Sequence, residues 1–454
     1  MRERVYDGDL YAFGRLPDTY WMATAGPPKD DEAARLEEDI GADVAIIGGG
    51  YAGLSAAHQL TTRHGMSACV LEAGTCIGWG ASGMNAGFVS MGGEKLELAD
   101  MVRRVGEDET RRYWRSQVEA VEQLDAFMAS DGADCEPVGD GNLCVAHHPS
   151  VAPALAELAD TLKRRFGVAA EFLDRDRYRE EVHDGPETWG GLNLRPGRAM
   201  HPLRLARMHA RRARAGGARI YTATEIVDWR REGQTHRLVT AGGASIRAPR
   251  VLIATNGYTP NDLAPVVTYR GLPAISSIIV TQAYGDRELD ARGFRTLTPI
   301  YNSRGLLSYY RRLPDGRILL GGRGDTQGTP DAAEDQARAT LTTLRRVLPA
   351  FADAEIAFAW RGLVCITARR TLALGRDPDD PSVAFAFGCH GSGTATMPWA
   401  GRLAADLLAG AATESDVPAL LRGLPKKLPP SNAALRWGLR AAYALYAVRD
   451  SLHI

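Results

Sequence analysis

The period of hydrophobic positions changes along the chain, and each change marks an element. Asp43-Val-Ala-Ile-Ile47 is a short apolar run that predicts a buried strand, and the glycine turn Gly48-Gly-Gly-Tyr-Ala-Gly53 follows it directly. Helical spacing over residues 54–63 and a second apolar run over 67–71, ending at Glu72, complete a strand–turn–helix–strand unit. Across 94–130 the residues Met101, Val105, Trp114, Val118, Val121 and Leu124 recur at helical steps on a charged background. Then come a strand over 141–146, an amphipathic helix over 151–166, and a basic helix opened by His201-Pro202 and running to about residue 216.

Four short strands are predicted at 218–222, 225–231, 237–240 and 250–254, with Gly233 and Gly242-Gly243 as turns. Strands at 277–283 and 317–321 and a helix at 332–347 occupy the next stretch. The last apolar run, 383–387, leads into a second glycine turn, 388–393, and a helix over 397–408. Residues 1–40, broken by Pro17, Pro27 and Pro28, form an arm that Tyr20 and Trp21 anchor to the body. The expected organisation is a discontinuous nucleotide domain (41–93, 196–265, 356–412), a substrate domain (94–195, 266–355) and a helical tail (413–454).

Composition narrows the function classes. Apolar residues make up 45% and charged residues 24% of 454, the profile of a globular protein with room for two or three domains. With 54 basic and 55 acidic residues and no long run of either sign, nucleic acid is not an expected partner. Lys29, Lys95, Lys163, Lys426 and Lys427 are the only lysines, and their polar or proline-flanked settings argue against lysine catalysis. The six cysteines include no C-x-x-C pair, so neither disulfides nor a metal is expected. The charged start lacks a secretory core and no long apolar stretch occurs, which makes a cytoplasmic protein the expectation, with no membrane partner, as a monomer or small homo-oligomer.

Gly48-x-Gly50-x-x-Gly53 gains its meaning from context: it follows a strand, opens a helix and precedes an acidic residue at the end of the next strand. Gly48 permits the turn, Gly50 lets backbone approach a pyrophosphate, Gly53 lets helix meet strand, and Glu72 is placed to accept a ribose hydroxyl. A nicotinamide site needs no second small-residue loop, yet 78–87 is one, and a flat tricyclic ring requires backbone of that kind around it. The closing turn 388–393 is a separate piece of chain that can meet the same cofactor.

These segments, with Met200-His-Pro-Leu203, Val251-Leu-Ile-Ala-Thr-Asn-Gly257 and the closing turn, resemble the FAD-dependent amine and amino-acid oxidoreductases, a group that includes glycine oxidase, sarcosine oxidase and D-amino-acid dehydrogenase. Tyr20-Trp21, Trp79, Tyr309-Tyr310-Arg311, Gly321-Gly322-Arg323 and the Trp360–Thr367 stretch are most similar to its γ-glutamylputrescine oxidase branch. The resemblance implies an α/β fold, α+β overall: a Rossmann-like FAD-binding domain of the glutathione-reductase type beside a substrate domain with a mostly antiparallel sheet and helices. It implies FAD contacts from Gly48, Gly50, Tyr51, Ala52 and Gly53 in the first turn and Glu72 and Ala73 after it. Gly80, Ala81, Ser82, Asn85, Ala86 and Gly87 in the loop, and Val227, Thr255, Gly257 and Gly362, extend the set. Gly388, His390, Gly391, Ser392, Gly393 and Thr394 close it. The implied chemistry is oxidation of the carbon beside an amine of a small amine or amino acid, giving an imine and then a carbonyl product, with O2 reduced to H2O2.

For the substrate, Arg311 on the 309–311 strand is the first expected carboxylate clamp and Arg323 the second, because a guanidinium fork holds an oxyanion at two points. Tyr309 and His390 join them as candidate catalytic residues. His201 reads as the cap of its helix rather than a catalyst. In sarcosine oxidase the closing turn carries a histidine and then a lysine associated with oxygen; here His390 comes early, Ser392 takes the later place and no lysine follows. A quinone-linked dehydrogenase of the same fold, a nicotinamide dehydrogenase and a non-catalytic flavoprotein are the alternatives. Cys365, before Thr367, resembles a flavin-linked cysteine in position, while its apolar neighbours favour a buried thiol and dissociable FAD. The tail keeps a helical stripe over 437–448 flanked by Arg436, Arg440 and Arg449, readable as a helix docked on the body or lying on a membrane surface.

Overall fold

The computed structural model describes residues 4–6, 8–28, 34–92, 96–129 and 132–452; Lys29, Lys95 and the expected 93/94 boundary lie outside them. Val44–Ile47 and Ala68–Leu71 are buried strands, and Tyr51–His64 between them is a helix ended by Gly65 in the left-handed conformation, so the βαβ unit folds as expected. They pair in parallel within a six-stranded sheet ordered Ala373–Arg376, Val383–Phe387, Arg250–Ile253, Val44–Ile47, Ala68–Leu71, Arg219–Tyr221; its one antiparallel pair is the first. Helices Tyr51–His64, Pro202–Ala215 and Gly393–Ala409 share one core with one face of this sheet. On the other face Ala45, Ile47 and Cys69 pack with Ile226, Leu238 and Ile246 of a four-stranded sheet. These are the three layers of an α/β nucleotide fold.

The second large sheet has eight strands, ordered Ile356–Ile366, Leu272–Thr281, Ile318–Arg323, Ser308–Arg312, Ile300–Asn302, Asn142–Val145, Gly191–Arg195, Ala169–Leu173. All its pairs are antiparallel except Ile300–Asn302 with Asn142–Val145. Ile356–Ile366, grouped in sequence with the nucleotide segments, pairs along its whole length with Leu272–Thr281 and is an edge of this sheet. Its burial alternates along the strand but changes phase at Arg361–Gly362, so no single period-two pattern marks it in sequence. The helix Leu98–Met128 covers its expected range, with Gly106 at φ 83° interrupting it.

Tyr20 and Trp21 open the helix Tyr20–Ala25, capped by Thr19, and both are buried. Trp21 donates from Nε1 to the Asn85 carbonyl, so the arm is fixed to the loop after Glu72. Among the described residues no helix is long and apolar enough to cross a membrane.

Candidate active site

Two cavities share the walls Tyr51, Ala81, Ser82, Asn256 and Met397 and so form one elongated site. The nucleotide end runs over the first glycine turn to Glu72 and Ala73. The sheet end lies between the loop at Asn85 and the inner face of the eight-stranded sheet.

At the nucleotide end, Gly48 stands at φ 111°, a conformation that side chains resist. A Cβ on Gly53 would lie 2.0 Å from the Gly48 carbonyl oxygen, so turn and helix touch through bare backbone. Glu72 accepts from the Gly49 and Gly74 amides, each at 2.7 Å, one on each carboxylate oxygen. Burial raises its pKa against those two amides. Ser82 accepts from the Tyr51 amide at 3.0 Å and ties the second loop to the helix start. Gly50, Ala52, Gly80, Ala81 and Thr255 complete the expected part of this wall. Arg4 and Phe13 of the arm also line it; Arg4 pairs with Glu225 and lies over the rings of Tyr11 and Phe13. Composition gives no hint of them, because the arm returns from far away in sequence.

At the sheet end, Asn85, Ala86, Tyr309, Arg323, Gly362, His390, Gly391, Ser392, Gly393 and Thr394 line the cavity as expected. The Tyr309 hydroxyl meets Ser276 Oγ at 2.8 Å, and burial pushes its pKa up to about 12. Arg323 donates from Nη2 to the His390 carbonyl at 2.9 Å. His390 stands at φ 53°, and its Nε2 accepts from the Thr367 amide at 3.3 Å. Asn256 joins the two cofactor-facing turns by accepting from the Gly388 amide at 2.9 Å; it sits at φ 45° between two residues that the resemblance did mark. Among the described residues lining this end, Arg323 is the sole charged side chain.

Several expected residues lie elsewhere. Val227 is 42% exposed on the far side of its strand, and its neighbour Ile226 lines the cavity instead, a one-residue slip across a strand. Gly53, Gly87, Gly257 and Gly388 line neither end: Gly53 backs onto the Gly48 carbonyl, Gly87 onto the Met200 carbonyl, Gly257 onto Leu363, and Gly388 onto Thr367. Arg311 is not in the cavity. It is 1% exposed among Trp21, Gly87 and His201, its Nε and Nη1 have no partner, and burial lowers its pKa to about 10. Cys365 is buried on the opposite side of its strand from Val364, its thiol pKa raised by burial, while Cys389 lines the sheet end. His201 caps its helix, accepting at Nδ1 from the Arg204 amide. Among the described residues no cluster suited to a metal occurs.

The arrangement fits a dinucleotide joined to a planar ring. Glycine backbone at a helix start, a half-buried acid beyond it and a wide end walled by small-residue loops adjoin through shared walls. Residues 43–407 match the family described as FAD dependent oxidoreductase. The chain belongs to that family. It is 30% identical over 425 residues to gamma-glutamylputrescine oxidoreductase of Escherichia coli, covering 92% of this chain and 95% of the relative. Its identity to probable oxidoreductase OrdL of Rhizobium meliloti is 31%, covering 90% and 92%. Glycine oxidase from Geobacillus kaustophilus has the same fold, with a TM-score of 0.69 at 23% identity over 82% of this chain and 96% of that one. This chain is an FAD-dependent oxidoreductase of the amine and amino-acid oxidase type.

Proposed function

We propose that the protein oxidises the carbon beside the amine of a small substrate that also carries an anionic group, a carboxylate or phosphonate, and that O2 is the final acceptor. FAD, when bound, would supply the two-electron acceptor for that carbon's hydride, and the resulting imine would be hydrolysed by water. The observation that carries this reading is Arg323, alone in charge at the sheet end of a cavity continuous with the glycine turn. Its Nη2 is held by the His390 carbonyl, which orients the guanidinium toward an oxyanion. With no carboxylate lining this end among the described residues, an ammonium has no counter-ion there and the neutral amine is favoured. Tyr309 and Ser276 offer a hydroxyl pair to orient the amine, and His390 flanks it.

The glycine turn and Glu72 would hold the adenosine and pyrophosphate, and the loops at 80–86 and 389–394 the ring system. FAD is proposed to be dissociable, because Cys365 is buried away from the cavity. Acid precipitation then leaves a white pellet; a yellow pellet that whitens in Cys365→Ser overturns it. Anaerobic mixing of the yellow protein with acidic and neutral amines tests the main reading. Bleaching of the oxidised flavin band by an amino acid or aminophosphonate supports it, and no reduction by any amine defeats it. Reoxidation of the bleached protein by air distinguishes an oxidase from a dehydrogenase using a quinone.

A further inference from the structure

The helix Asn432–Leu452 has two apolar faces. One is docked: Leu435, Leu439 and Tyr443 are buried against the body. Asp450 accepts from the Gly305 and Leu306 amides, Arg436 donates to the Val5 carbonyl and Arg440 to Thr326, so the helix is fixed in orientation. The opposite face carries Trp437, Ala441, Ala444, Leu445, Val448 and Leu452, and at 100° per residue these fall within an arc of about 100°. Trp437 is 67%, Leu445 59%, Val448 55% and Leu452 61% exposed, four of the six large exposed hydrophobics among the described residues. Docking the helix needs only the first face. The second face, free of charge along its centre, is a concentration that soluble surfaces avoid.

Charge around this arc identifies its occupant. Residues 426–452 hold Lys426, Lys427, Arg436, Arg440 and Arg449 against the single acid Asp450, in a chain whose total charge is −1. Asp450 is already turned to backbone amides on the docked side. By helical geometry Arg440 and Arg449 flank the arc on opposite rims. A second copy packed on the arc would set the Arg440 rim beside its own equivalent if antiparallel and beside the Arg449 rim if parallel, so basic rim meets basic rim in either orientation. A layer of anionic headgroups neutralises both rims while the apolar arc enters the acyl boundary.

We propose that this helix is a membrane-surface anchor that seats the protein on an anionic lipid bilayer, its arc of Trp437, Leu445, Val448 and Leu452 in the interface and its arginines at the headgroups. Tyr443 on the docked face lies within electrostatic reach of Arg323, and Leu306 beside the helix precedes the cavity-lining Leu307. The anchor therefore adjoins the sheet end of the cavity. This inference does not depend on the substrate reading.

The test is co-sedimentation of the full-length, FAD-loaded protein with vesicles of phosphatidylcholine alone and of phosphatidylcholine mixed with phosphatidylglycerol, at low and high salt. Binding is expected only to the mixed vesicles and weakens with salt. Trp437→Ser/Leu445→Ser/Val448→Ser, all on the exposed face, weakens it on the order of tenfold or more while amine oxidation in solution is unchanged. Arg440→Gln/Arg449→Gln retains the arc and loses the dependence on phosphatidylglycerol. Absence of binding to mixed vesicles, or equal binding by the triple variant, overturns the proposal. So does a dimer in light scattering that the triple variant dissociates, because the arc then belongs to a second copy.

Discussion

The two ends of the cavity are made of different parts of the peptide. At the nucleotide end the wall is made of backbone: Gly48, Gly50 and Gly53 clear space, and the acid Glu72 is itself held by two amides. At the sheet end the wall is made of side chains, Tyr309, Ser276, Arg323 and His390, delivered by three strands and a turn. The difference follows from what each end must bind. A pyrophosphate is constant and is matched by a helix start with no side chain in the way. A substrate varies, and a sheet face can change its specificity one side chain at a time without disturbing its ladder.

The largest effect is therefore expected where backbone meets backbone. In Gly53→Val the Cβ would stand 2.0 Å from the Gly48 oxygen and 3.0 Å from Ile46 Cγ2, a conflict that only movement of the turn or helix relieves. The protein is expected to purify without FAD and to melt earlier, by about 3 kcal/mol or more of stability. Flavin absorbance per mole of protein and the unfolding midpoint measure both, and a yellow, normally stable Gly53→Val breaks the claim that this end is read through backbone.

A smaller and more selective effect is expected at the sheet end. Arg323→Ala should keep its FAD and lose kcat/KM for an anionic amine by about tenfold to a hundredfold, equivalent to about 1.5–3 kcal/mol for a charge-assisted contact. Arg311→Met sharpens the contrast, because Arg311 lies outside the cavity with two nitrogens that have no hydrogen-bond partner and a ring contact to Trp21. Its removal is expected to leave KM within about twofold and to raise the melting temperature, since the orphaned donors cost more than the cation–π contact returns. A KM rise in Arg311→Met with none in Arg323→Ala would reverse the assignment of the two arginines.

The same contrast explains what was legible in the sequence. Gly48 to Glu72 is one continuous segment whose function is written in spacing, so its turn, helix and acid all fall where the pattern predicts. The sheet end combines segments that meet only through strand pairing. Tyr309 and Arg311 sit on one face of a strand, yet which of them meets the cavity depends on the Asn85–Phe88 loop and on Trp21, brought there by an arm 64 residues earlier. Val227 fails for a related reason, since a resemblance does not determine register and one residue on a strand reverses the face. Asn256 shows a third limit: its hold on the Gly388 amide spans 132 residues, and no local pattern signals it.

Beside the cavity lies a seam that acid should open, and at neutral pH this is the smallest effect. His201 accepts at Nδ1 from the Arg204 amide, so its proton is on Nε2 and is donated to Thr24 Oγ1 at 3.0 Å, joining the helix Pro202–Ala215 to the arm that holds Asn85. Burial, with Arg204 and Arg311 nearby, lowers its pKa to about 3. Because the ordinary value is about 6.5, the unfolded chain takes up this proton first. The stabilising contribution of neutral His201 is thus complete above about pH 6.5 and is lost as pH falls toward 3, at up to about 1.4 kcal/mol per pH unit. His183, lowered to about 4, and His209, lowered to about 3, add to the same slope, both through burial. In His201→Asn the cap is retained and the titration removed, so stability at pH 7 should change by less than about 1 kcal/mol. Urea unfolding between pH 6.5 and 4 is expected to show a slope shallower by about one proton than in the unaltered protein. A variant that keeps the full slope would mean that His201 is charged in the folded protein, and would remove it as the link between the arm and the sheet end.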